Sequence, residues 1–159
     1  MLIKMIEFLR IVGVGLAYYL GYQAGFADVY DPVAQLHIMI PLVVFFVAGT
    51  SGFEGLFLGK MAAEAKGFET ESNYQKQSAF ALLAMTFTAL FVWVLNWGIH
   101  AELTILIMFL LFFILSAANH TKEAIQKHNF KFQNINRPFL VMLLLAGFFY
   151  PLIKLWPLL

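Results

Sequence analysis

No cysteine occurs anywhere in the chain. That excludes a disulfide framework, thiolate chemistry and any cysteine-based metal site, and it leaves the redox compartment open. Charge is almost as scarce, at 12% of residues against 62% hydrophobic, with a mean hydropathy of +0.81. Soluble domains carry roughly a quarter charged residues. A soluble fold of 159 residues has no way to hide so much apolar surface, so the solvent is lipid. The formal net charge is only +1, which removes nucleic acid as a partner, since that role needs a basic surface. Also missing are a GxSxG elbow, a P-loop, a dinucleotide fingerprint and an HExxH pair.

What remains is a set of long uncharged runs. Residues 11–27, 32–53, 77–101, 103–121 and 138–153 contain no Asp, Glu, Lys or Arg. These five gaps approach or exceed the roughly 17–25 residues needed to cross a bilayer as a helix. The expected fold is therefore all-α: one domain over residues 1–159, a polytopic bundle of about five transmembrane helices. The expected spans are about 3–25, 34–62, 74–98, 101–126 and 137–156. Arg10, Arg137 and Lys154 extend the shorter spans by snorkelling. A four-span alternative lays the first segment on the membrane surface. Residues 1–27 also resemble a signal peptide, although Glu7 fits its basic start badly. In the five-span arrangement nine of the ten basic residues fall on one side and only Lys154 on the other. The positive-inside rule then makes the N-terminus cytoplasmic, in an inner (cytoplasmic) membrane.

Local signals punctuate the runs. Asp31-Pro32 is a helix start, Pro41 predicts a kink, and Ser72-Asn73-Tyr74-Gln75 reads as a capping box. Gly98-Ile99-His100 predicts a tight hairpin between the third and fourth spans. Gly21 and Gly25 in the first span, and Gly52, Gly55 and Gly59 in the second, have the spacing of close helix–helix contact.

The candidate site is a ring of polar residues at one depth. Glu54 lies about 30 Å along the second span at 1.5 Å per residue. His120 and Asn119 lie equally far along the fourth, Gln75 and Gln77 open the third, and Lys60 follows the second. An ionisable group inside a membrane points to function. Glu54 with His120 offers a proton relay, an acid–base pair or the polar end of a ligand pocket. The plainer reading pairs Glu54 with Lys60 or Lys122 and leaves His120 on a carbonyl. Replacing Glu54 with Gln is expected to empty the site while sparing expression. His37 and His100 fall near the opposite face, where Asp31 and Glu102 read as solvated loop. No metal and no cofactor are expected.

The central and C-terminal portion resembles a family of small integral membrane proteins known only as a domain of unknown function. The resemblance rests on Gly59-Lys60, Ala65-Lys66-Gly67-Phe68, Ser72-Asn73-Tyr74-Gln75-Lys76-Gln77 and Asn119-His120. Lys60 stands where the family pattern has histidine, and Gln77 where it has glutamate. The layout is also loosely similar to DoxX-like proteins. The resemblance supports the architecture and supplies no activity. The expected function is a non-enzymatic bundle that binds or passes a small or lipidic ligand at the polar cluster. The alternatives are an accessory subunit of a membrane assembly, homo-oligomeric or with another partner, and a membrane-embedded enzyme using a Glu/His pair.

Overall fold

A computed structural model describes residues 2–66 and 73–159, without the side chains of residues 66 and 133–135. Ser72, and with it the expected capping box, lies outside the described residues. Those residues form helices joined by short turns, with no strand among them. Helix α1 spans Leu2–Gly25, and α2 spans Pro32–Val44. A π-helical segment, Phe45–Gly49, joins α2 to α3, Thr50–Phe57. Helix α4, Gly59–Lys66, follows a break at Leu58. Then come α5, Asn73–Val94, α6, Ile99–Gln126, and α7, Phe132–Leu155, with a final 3-10 turn at Trp156–Leu158.

Helix α2 begins as its sequence dictates. The Asp31 carboxylate accepts hydrogen bonds from the Val33 and Ala34 amides at 2.8 and 3.1 Å, and Pro32 occupies the first turn. Pro41 remains inside α2, and the irregularity comes just beyond it, in the π segment. A π segment fits one extra residue into the helix and resets the face that follows. Here the Thr50 hydroxyl donates to the Phe46 carbonyl at 2.6 Å across it. The second expected span is thus one rod with two interruptions, the π segment and Leu58, where ψ moves to 18°. The turn between α5 and α6 is closed by Gly98 at φ +88°, a conformation that only glycine adopts cheaply.

Helix α2 is the centre of the bundle, contacting α1, α5, α6 and α7. In the most apolar window of the α2–α3 rod 50% of residues are buried, against 28–33% for the corresponding windows of the later spans. Its Leu36, Met39 and Val43 meet Val14 and Ala17 of α1, Met85 of α5, Phe109 of α6, and Leu144 and Phe148 of α7 in one core. The opposite faces of the outer helices are apolar and exposed, among them Phe87 and Phe91 of α5, Leu111 and Leu115 of α6, and Phe139 and Phe149 of α7. Such a surface is stable in hydrocarbon and not in water.

Among the described residues, four stretches are long and apolar enough to cross a membrane: Pro32–Phe57, Asn73–Val94, Ile99–Gln126 and Asn136–Leu158. Helix α1 is not among them, although its 24 residues would reach about 36 Å. Its polar residues lower its mean hydropathy, yet Glu7 and Arg10 are turned inward and buried. Its outward face carries Phe8, Val12, Leu16 and Tyr19. Along its length α1 runs antiparallel to the α2–α3 rod: Arg10 lies opposite Thr50 and Glu54, Gly13 against Phe46, Gly21 against Met39, and Gly25 against Gln35. This is the register of a bundle member rather than of an arm laid across the surface, and the bundle has five long rods.

Candidate functional site

Helix α3, the start of α5, the end of α6 and the start of α7 converge at one end of the bundle around a cavity of about 510 Å³. From α3 come Ser51 and Glu54; from α5, Gln75 and Ser78. Helix α6 adds Asn119, His120, Glu123 and Lys127, and α7 adds Arg137. The wall between them is apolar, with Leu82 and Phe112 prominent. Tyr74 and Lys127 on the lining are exposed, so the cavity opens at the bundle end. Helical spacing explains the set. Gln75, Ser78, Ala79 and Leu82 share one face of α5, and His120, Glu123 and Lys127 share one face of α6.

Glu54 is 2% exposed and forms an ion pair with Arg10 of α1, Oε2 to Nη2 at 3.1 Å. Arg10 Nε also donates to Thr50 Oγ1 at 3.2 Å. This corrects two expectations. Glu54 is paired from α1 rather than by Lys60 or Lys122, and Arg10 does not snorkel outward but is 4% exposed. The reason is register, because the antiparallel contact of α1 with the rod sets Arg10 beside the first turns of α3. Glu7, one turn earlier on the same face, is also buried, and the charges of Arg10, Glu54 and Glu7 all act on Arg137. Two acids and two guanidiniums from three helices thus form a net-neutral quartet behind and along the cavity wall. Placing charges in hydrocarbon is costly unless they are paired.

Of the six residues proposed for the polar ring, Glu54, Gln75, Asn119 and His120 line the cavity. Gln77 and Lys60 do not, and both are exposed. Gln77 points away because two helical residues turn the chain by about 200° from the Gln75 face. Lys60 follows the break at Leu58 and so leaves the face of Glu54. Gln75 Nε2 donates to the Gly59 carbonyl at 3.1 Å, joining α5 to α4. Sequence reasoning missed Ser51, Ser78, Glu123, Lys127 and Arg137. The i, i+3, i+7 spacing of His120, Glu123 and Lys127 was the available signal. Lys127 Nζ donates to Glu123 Oε1 at 2.7 Å. The Ser51 hydroxyl is buried at the cavity wall with no hydrogen-bond partner among the described residues.

The glycines of the rod meet α5. A Cβ at Gly52 would stand 2.8 Å from Leu83 Cγ and 3.0 Å from the Ala79 carbonyl, and one at Gly55 2.8 Å from Ala79 Cβ. Gly59 lies more loosely beside the Gln75 side chain, 3.5 Å from Nε2.

The other end of the bundle is not the plain solvated loop expected. Glu102, in the first turn of α6, is 2% exposed and meets His37 Nδ1 of α2 at 2.6 Å through Oε1. Its Oε2 has no partner among the described residues. His100 is exposed on the helix surface and stands apart from this pair. In the loop before α2, Tyr30 donates to Gln35 Oε1 at 2.7 Å. Burial, with the nearby Tyr150, Tyr22 and Asp31, pushes the Tyr30 phenol up to about 12. Among the described residues no three His, Asp or Glu side chains lie close enough together to hold a metal ion.

Apolar rods, exposed apolar and aromatic outer faces and a buried ion pair between Arg10 and Glu54 define a small multi-span integral membrane protein. The chain belongs to a family of unknown function, DUF6790, whose model matches residues 5–156. No curated protein and no solved structure matches the chain.

Proposed function

We propose that this protein binds or passes a small or lipidic ligand at the polar cavity, without chemical conversion, and that this end of the bundle faces the cytoplasm in the inner membrane. The observation that carries the reading is the cavity itself. Its polar side chains come from α3, α5, α6 and α7 and its apolar wall chiefly from α5 and α6, at about 510 Å³. Ligand pockets run to about 300–1,000 Å³ and combine apolar walls with a few convergent polar groups.

The acid–base alternative is weakened by the Arg10 pair. Glu54 Oε2 is engaged by the Arg10 guanidinium at 3.1 Å and is not presented to the cavity alone. The accessory-subunit alternative leaned on an open glycine face, and Gly52 and Gly55 are instead occupied by α5 of the same chain. Nine basic residues on the cavity side favour the cytoplasmic orientation.

The test is photocapture in the native membrane. Tyr74→p-benzoylphenylalanine puts the reactive group on the cavity lining, and Gln77→p-benzoylphenylalanine puts it on the exposed face of the same turn. A discrete small or lipidic adduct at position 74 and not at 77 is expected. Equal capture of bulk lipid at both positions would refute the reading.

A further inference from the structure

We propose that the cavity ligand is zwitterionic, carrying a phosphate or carboxylate and an ammonium group, as in an ethanolamine phospholipid headgroup or a free small zwitterion. The inference rests on the cavity being the ligand site.

Charge balance is the starting point. The lining carries two acids, Glu54 and Glu123, and two bases, Lys127 and Arg137. Glu54 is paired with Arg10 and Glu123 with Lys127. Arg10 and Glu7 behind the wall add one charge of each sign. The cavity therefore shows both signs of charge and no net charge. A ligand with a single charge would sit in an apolar bundle without a net counter-charge, which is costly. An uncharged ligand needs none of these ionised groups, which are themselves expensive inside a membrane. A zwitterion meets each sign and leaves the balance intact.

The placement of donors gives the ligand a direction. Ser51 Oγ is a buried donor at the wall with no partner among the described residues. Buried hydroxyls are nearly always satisfied, so this one marks where a ligand acceptor fits. With Arg137 on the same lining it suits a phosphate or carboxylate oxygen. The ammonium group suits Glu123, since a carboxylate accepts several hydrogen bonds and Lys127 uses one. Leu82 and Phe112 then lie against carbon.

The experiment reads lipid retention by native mass spectrometry from nanodiscs of equal phosphatidylethanolamine and phosphatidylglycerol. The wild type is expected to retain the zwitterionic lipid over the anionic one by about tenfold. Glu123→Gln gives the lining one net positive charge and is expected to shift retention toward phosphatidylglycerol, which a merely structural role for Glu123 would not do. Preferential phosphatidylglycerol in the wild type, or a ratio untouched by Glu123→Gln, overturns the zwitterion. Ser78→Phe fills the cavity. If it retains as much lipid as the wild type, the cavity is not the site and the underlying reading falls with the inference. Delipidated protein stabilised by glycerophosphoethanolamine as strongly as by the whole lipid supports a soluble zwitterion, and stabilisation by the lipid alone supports a headgroup. Stabilisation by neither overturns the proposal.

Discussion

Removing Glu54 should leave Arg10 buried without its partner. The two side chains are 5% and 3% exposed and meet at 3.1 Å. At an effective dielectric near 20, unit charges about 4 Å apart attract by about 4 kcal/mol. Breaking a buried pair from one side costs about 3–5 kcal/mol, because the survivor keeps its desolvation penalty. Glu54→Gln also leaves the quartet with one net positive charge, Arg10 and Arg137 against Glu7 alone. Unfolding followed by tryptophan fluorescence in detergent should therefore shift down by roughly 6–20 °C, at about 2–4 °C per kcal/mol for a chain of this size. Removing both partners, as Arg10→Met with Glu54→Leu, takes away one charge of each sign and should recover most of that loss. The double variant separates a charge effect from a packing effect. If Glu54→Gln alone melts within about 2 °C of the wild type, less than 1 kcal/mol on the same scale, the pair does not hold α1 to the rod. A double variant no more stable than the single one would contradict the electrostatic reasoning. Glu54→Gln is consequently a stability variant, not the clean occupancy test expected from sequence, and Ser78 is the better place to challenge the cavity.

The remaining expectations concern packing, titration and topology. Gly52→Leu should cost about 1–3 kcal/mol by overpacking against Leu83 and the Ala79 carbonyl. Gly15→Ala, with no described atom within 4 Å of the added Cβ, should be neutral or stabilising by up to about 1 kcal/mol; both are read by thermal melting. The raised Tyr30 pKa favours the neutral phenol in the folded protein. Its contribution to stability is complete below pH 10 and is lost as pH rises toward about 12. Spectrophotometric titration should show a delayed phenolate near pH 12 that Tyr30→Phe removes, and a variant that keeps the full amplitude near that pH would refute the assignment. Because the chain has no cysteine, single cysteines at Lys4 and Asp28, one at each end of α1 and both exposed, should label from opposite sides of sealed vesicles. Labelling of position 4 from the same side as 28 would show that α1 does not cross.

The rods were legible because charge marks their ends: the four stretches that can span lie close to the uncharged gaps, and Asp31-Pro32 starts α2 as its chemistry requires. At α1 the same rule found the rod, expected over about 3–25 and observed at Leu2–Gly25, but not the facing of its charges. Glu7 and Arg10 look like boundary residues, and only the pairing of Arg10 with a glutamate 44 residues away shows that they face inward. The π segment left no mark, since Phe45–Gly49 is as apolar as its surroundings. The common depth of Glu54, Gln75, Asn119 and His120 followed from counting along helices. Arg137 was passed over because it was counted as the edge of a span, and Ser51 because a lone serine carries no pattern. Glu102 likewise closed a gap in the sequence, while in the fold it is buried against His37. Depth was readable, but the inward or outward facing of charges near a span end depended on contacts between distant helices.

The measurement that bears most directly on the cavity as a ligand site is native mass spectrometry of wild type and Ser78→Phe, each released gently from its own membrane. A stoichiometric small or lipidic adduct on the wild type that is absent from an equally stable Ser78→Phe protein is the expected result. A bare wild-type chain, or an adduct that survives Ser78→Phe unchanged, would contradict it.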